Sequence, residues 1–179
     1  MFRVLKGALS QTGEMTVGDI DREADFSAYV LARQRGLIRF AYLLTGNPHE
    51  AEDLVQSALL KVYRHWGTVD SPDSYVRRAI INEHNSWWRR PSRRREVTSS
   101  DLVTFTGSSA SADVYPDHDL RAQVAALPRQ QRAAIVLRYY EDLTEGQTAA
   151  ILGCSIGTVK SHTSRALGNL RVSMKGALS

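Results

Sequence analysis

A chain of 179 residues with 23 Lys and Arg, 19 Asp and Glu and one cysteine makes one compact domain or two small ones and cannot close an internal disulfide. The apolar stretch 36–44 is interrupted by Arg39 and is far too short to span a bilayer. No charged-then-apolar signal segment opens the chain, so a cytoplasmic protein without membrane insertion is expected. The net charge of +4 is unevenly spread: 12 basic against 8 acidic residues in 23–95, none against 4 in 96–118, and 8 against 4 in 119–179. Two basic lobes flanking an acidic connector suit a protein whose lobes, and not its connector, meet polyanions.

Residues 1–20 have no sustained periodicity and are expected to be a loose leader, with Met15 an alternative start. From 21 to 44 the residues Phe26, Tyr29, Val30, Leu37, Phe40, Ala41 and Leu44 recur mostly at three- and four-residue steps, which predicts a helix. Thr45-Gly46 ends it. Asn47 as cap, Pro48 at the first position and Glu50 in a capping-box position then predict a second helix over 48–65. Its apolar face is Ala51, Leu54, Val55, Ala58, Leu59, Val62 and Trp66, and Glu52, Asp53, Gln56, Ser57 and Arg64 lie largely off that face.

A loop at 67–72 leads to a third predicted helix over 73–90. Between Arg77 and Arg95 stand seven arginines and one acid, Glu83, with Trp87 and Trp88 interleaved, Tyr75 just before, and Asn82 and Asn85 adding amides. Guanidinium groups for phosphates beside aromatic rings for an unstacked base are the chemistry of single-strand capture. Adjacent helical residues point about 100° apart, so one of Trp87 and Trp88 is expected to pack and the other to be available. Residues 96–118, rich in Ser, Thr, Ala and Asp, are expected to be a flexible acidic linker.

Four further helices are predicted at 119–126, 129–140, 144–152 and 156–171, with Pro128 and Gly153-Cys154-Ser155 as the breaks. The last two have the lengths of a helix-turn-helix. Ile156, Val159, Thr163, Ala166, Leu167 and Leu170 are expected to face the core, which leaves Thr158, Lys160, Ser161, Ser164 and Arg165 outward with His162 at the margin. Small hydroxyl side chains let such a helix sit deep in a major groove while Lys and Arg reach phosphates or guanine edges.

With these residues in view, the chain resembles the extracytoplasmic-function (group IV) sigma factors of bacterial RNA polymerase, and their actinobacterial SigE-like branch in particular, over roughly 23–172. The carriers are Ala51 to Gln56, Ser74 to Ala79 with Asn82 and Trp87 to Arg90, Leu127-Pro128 with Gln131-Arg132, and Leu143-Thr144 through Ser161. The resemblance implies an all-α chain of two small helical domains, a sigma region 2-like domain over 21–95 and a region 4-like helix-turn-helix domain over 119–179, joined by the linker. It implies core-polymerase contacts at Glu52, Asp53, Gln56 and Ser57. It assigns recognition and melting of a −10 element to Tyr75, Arg77, Arg78, Asn82, Trp87, Trp88, Arg89 and Arg90, with 66–72 as the loop that pockets a flipped base. It assigns reading of a −35 element to Thr158, Lys160, Ser161, His162, Ser164 and Arg165. Ser57 stands where many relatives carry an acid, and the 66–72 loop lacks their Phe-Arg-Gly-like sequence. The implied partners are core RNA polymerase and promoter DNA, and an anti-sigma factor is a further partner class the resemblance allows.

The linker fits independently: 23 residues reach at most roughly 80 Å, enough for two duplex turns of about 34–36 Å. The alternative reading is a helix-turn-helix regulator of the LuxR type, which shares the Gly-Thr-Val-Lys-Ser pattern and leaves 45–95 unexplained. The acids at 49–53 open a helix, and the scattered histidines and Cys154 form no catalytic or metal set. No enzyme activity, metal or cofactor is expected.

Overall fold

The computed structural model describes residues 17–89 and 118–177, and each of these two segments is a run of helices joined by short turns. Helix α1 (Val17–Thr45) and helix α2 (Pro48–Tyr63) form a hairpin, followed by a 3-10 turn (Trp66–Thr68) and helix α3 (Pro72–Arg89). Helices α4 (His118–Ala126) and α5 (Arg129–Ile135), a π-helical turn (Val136–Tyr140), α6 (Glu145–Leu152) and α7 (Ile156–Ala177) complete the described chain.

The α1–α2 turn is set by local chemistry. Gly46 takes φ +75, a left-handed conformation that suits glycine, and its N–H closes on Tyr42 O at 2.8 Å. Asn47 Oδ1 accepts from the backbone N–H groups of His49 and Glu50 at 2.9 and 3.2 Å, and Pro48 fills the first helical position. The N–H of Asn47 itself donates to Thr45 Oγ1 at 3.3 Å, the place expected for a capping-box Glu50.

All six α2 residues predicted to face inward from Ala51 to Val62 are fully buried, packed between α1 and α3. Trp66 closes the lower end: its Nε1 donates to Asp25 Oδ2 at 3.0 Å, and its ring meets Phe26 edge-on and Tyr29 at a tilt. The buried carboxylate of Glu83 on α3 is paired with Lys61 of α2. Asp73, in the first turn of α3, accepts from Tyr29 at 3.0 Å and from Arg33 at 2.9 Å, tying that helix to α1.

In the second lobe Thr144 and Gln147 form a reciprocal capping box on α6, and Gly153 ends it at φ +66, as a C-terminal glycine does. Asn169 Nδ2 donates to Gln131 Oε1 at 2.9 Å, joining α7 to α5. The two lobes are not separate in the folded chain. Buried residues from Phe26 through Leu170 form one continuous apolar cluster, α6 packs on α3, and α4, α5 and the π turn pack on α1.

Several expectations need correction. Helix α1 starts at Val17, inside the segment expected to be loose, where Asp19, Asp21 and Glu23 suit the positive end of a helix dipole. Residues 129–140 are not one α-helix: the N–H of Glu141 reaches back five residues to Val136 O at 3.0 Å, and Arg138 donates to Leu143 O to hold the widened turn. Helix α7 runs six residues past 171, a stretch with no proline to stop it. Ile156 and Leu167 are exposed, because burial follows Val159, Ala166 and Leu170, and Ile156 is the first residue of its helix. The leader to residue 16 and the acidic connector, apart from His118 in α4, lie outside the described residues.

Leu54 has no exposed surface, so Leu54→Ala should cost about 2–5 kcal/mol of stability. Urea unfolding followed by circular dichroism checks this; a loss below about 1 kcal/mol would contradict the packing of α2.

Candidate nucleic-acid interface

Three polar surfaces emerge from this framework. The first is the outer side of α2. Because the helix buries a stripe at steps of three and four, Glu52 and Asp53 are left exposed and Gln56 and Ser57 half-buried at the margin.

The second surface is on α3. Val76, Ile80 and Ile81 anchor that helix inward, which turns Ser74, Arg78 and Asn82 outward and leaves Tyr75 half-buried against the core. Arg78 and Asn82, four residues apart, share a face. Tyr75 and Arg78 also line a cavity of about 430 Å³ with His65, Asp70 and Ser71 of the preceding loop. The loop expected to receive a flipped base is therefore beside the predicted α3 residues, although its first residue, Trp66, is committed to the core. Arg77 does not join this face: its Nε donates to Glu141, in the second lobe. Trp87, Trp88 and Arg89 lie in the last turns of α3, with their side chains outside the described set, and Arg90 lies outside the described residues.

The third surface is the start of α7. Lys160, Ser161, Ser164 and Arg165 are exposed, with Thr158 and His162 partly so. Ser155 Oγ caps this helix, accepting from the Thr158 N–H at 3.1 Å and lying 2.9 Å from Thr158 Oγ1. Thr158 is thus half-engaged by the turn. Lys160 Nζ lies 3.6 Å from Glu145 of α6, an exposed contact worth little.

Sequence reasoning named Arg132 only as a carrier of the resemblance, without a structural role, and missed Glu141. Arg132 is largely buried and donates to Leu44 O at 2.6 Å, to Leu127 O at 3.1 Å and to Ala125 O. It thereby satisfies the end of α1 and the end of α4 at once. Burial, and secondarily Arg129, lowers its pKa to about 10. Burial also raises the Cys154 thiol, which disfavours the nucleophilic thiolate. Among the described residues no three His, Cys, Asp or Glu side chains group as metal ligands, and no helix is long and apolar enough to cross a membrane.

Residues 29–95 match the family described as Sigma-70 region 2, and residues 117–170 match Sigma-70, region 4. The chain is 37% identical over 151 residues to the RNA polymerase sigma-E factor of Streptomyces coelicolor, covering 82% of this chain and 84% of that protein. It is 33% identical over 153 residues to the ECF RNA polymerase sigma factor EcfG of Rhodopseudomonas palustris, covering 79% and 80%. The chain belongs to the extracytoplasmic-function RNA polymerase sigma factors. Its fold is similar to that of the sigma factor RpoE of Bartonella quintana, solved with the anti-sigma factor NepR, at a TM-score of 0.66, 32% identity, and coverage of 84% of this chain and 97% of that one. As a sigma factor it binds core RNA polymerase and directs promoter-specific transcription initiation through −10 and −35 elements. The region 2 match accounts for the segment that a LuxR-type regulator leaves unexplained, and that alternative has no support.

His84 is buried on α3; burial first, then Arg132 and Arg129, push its imidazole from 6.5 down to about 4. Between those values the unfolded chain binds a proton that the folded chain refuses. Stability is therefore full above about pH 6.5 and falls as the pH drops toward 4, with a slope of at most about 1.4 kcal/mol per pH unit. Thermal unfolding across this range should show the loss, and His84→Gln should flatten it relative to the parent; an equal slope in both proteins would remove His84 as the cause.

Proposed function

We propose that the sigma factor divides its work among the three surfaces. The outer side of α2, with Glu52, Asp53, Gln56 and Ser57, docks on core polymerase. Helix α3 with the 66–72 loop engages the opened −10 element through Tyr75, Arg77, Arg78, Asn82, Trp87, Trp88, Arg89 and Arg90. The start of α7 reads the −35 duplex through Thr158, Lys160, Ser161, His162, Ser164 and Arg165. The observation that carries this reading is α2: six fully buried residues on one side and two exposed carboxylates on the other leave an acidic face with no part in the fold.

The functional division runs 21–95 for core docking and −10 engagement, with its first helix beginning earlier, at Val17, 96–118 as connector and 119–179 for −35 reading. The chain acts by binding, catalyses no reaction itself, and works in the cytoplasm with the polymerase. The likeness to a sigma factor solved with NepR supports an anti-sigma factor as a further partner.

Reconstitution with core polymerase and run-off transcription from genomic DNA tests the whole reading; transcripts no higher than with core alone would overturn it. Asp53→Ala with Gln56→Ala should weaken core binding by about tenfold, or roughly 1.4 kcal/mol. Lys160→Ala with Arg165→Ala should keep core binding and lower −35-dependent transcripts by roughly tenfold or more. Equal loss of core binding in both double variants would refute the division.

A further inference from the structure

The loop between α2 and α3 is shaped by short-range bonds. Thr68 N–H donates to His65 O at 3.0 Å, Val69 N–H to Trp66 O at 3.4 Å and Tyr75 N–H to Ser71 O at 3.0 Å. Bonds that span three or four residues shape a turn, but they do not set where it sits on the body of the protein. That placement comes from α1. At the entry to the loop Trp66 Nε1 donates to Asp25 Oδ2 at 3.0 Å, and at its exit Asp73 accepts from Tyr29 at 3.0 Å and from Arg33 at 2.9 Å.

Asp25, Tyr29 and Arg33 follow one another at four-residue steps, which puts them in one row along α1. The middle residue serves both ends of the loop. Its ring lies 4.8 Å from the Trp66 ring, and its hydroxyl is the donor to Asp73. Burial, and after it the Asp73 carboxylate, push the Tyr29 pKa up, so the hydroxyl keeps its proton and remains a donor. Between the two fixed ends lie Thr68, Val69, Asp70 and Ser71, which with Ser74 and Arg78 wall the cavity on the first-lobe side. No α1 residue lines that cavity, so α1 acts on its occupant only through the loop.

We propose that Tyr29 is a positioning residue for −10 recognition: by holding Trp66 with its ring and Asp73 with its hydroxyl, it fixes both ends of the loop and so sets the selectivity of the cavity for the base that enters. The inference rests on the assignment of the 66–72 loop to a flipped base. Discrimination between bases depends on contact distances, so a small displacement of the wall costs selectivity before it costs structure. Removing the hydroxyl leaves the ring against Trp66 and leaves Asp73 paired with Arg33. The fold is kept, and the link from entry to exit is lost.

The test uses holoenzyme reconstituted from core polymerase and the full chain. The probe is a promoter found by run-off transcription, with its −10 region randomised; heparin-resistant complexes are recovered and their DNA is sequenced. Tyr29→Phe should lower the base preference at one −10 position roughly fivefold or more, with the other positions and core affinity as in the parent. Asp73→Asn should lower the preference at the same position. Tyr42→Phe removes a hydroxyl from the same helix where it packs on Arg121 of α4, and should change no preference. A merely structural defect lowers recovery of all sequences alike. A uniform loss of that kind in Tyr29→Phe, or a profile no different from that of Tyr42→Phe, would overturn the positioning role. Ser74→Leu, which enlarges a side chain in the cavity wall, separates this role from the reading beneath it. If it flattens one position that Tyr29→Phe leaves intact, the cavity takes a base and Tyr29 does not position it. If it flattens no position, the assignment of the 66–72 loop fails and the role of Tyr29 with it.

Discussion

Everything in the first lobe depends on burying one side of α2. A lobe of this size has little core to spare, and the six side chains from Ala51 to Val62 at zero exposure are the largest block of it. With α1 and α3 packed against that stripe, the other positions of all three helices are assigned by geometry. The carboxylates of Glu52 and Asp53 must face out, and α3 must turn Arg78 and Asn82 outward once Val76, Ile80 and Ile81 are inside. The surfaces proposed for docking and DNA are thus the complement of the core.

Much of this was legible in the sequence because it is local. The Asn47-Pro48 start, the apolar stripe of α2, the Gly153 stop and the outward set on α7 follow from caps, periodicity and glycine, each of which acts within a few residues. The family resemblance, carried by four motifs in order, supplied the functional meaning of those surfaces. What escaped was non-local. No pattern announces that Glu141 will pair with Arg77, 64 positions away, or that Arg132 will span to a carbonyl 88 positions away. Likewise Ile156 and Leu167 fit an apolar stripe by spacing, but α7 is buried on a narrower side than the sequence alone required, and Trp66, which periodicity put on the α2 face, is fixed by contacts from α1.

The join between the lobes gives the account its mechanical content. Arg132 is a part-buried cation whose terminal nitrogens donate to three carbonyl oxygens at two helix ends, while its Nε has no hydrogen-bond partner. Removing those carbonyl acceptors would leave more of its donors unsatisfied, which is costly. The neighbouring His84, held neutral by burial and by the two arginines, adds a pH dependence to the same region.

Hydrogen exchange of the full chain, alone and with core polymerase, tests the central claim most directly, because it reads the outer side of α2 in the intact protein. The account predicts slower exchange over residues 52–57 when core is added. Unchanged exchange at 52–57 on core binding would contradict it.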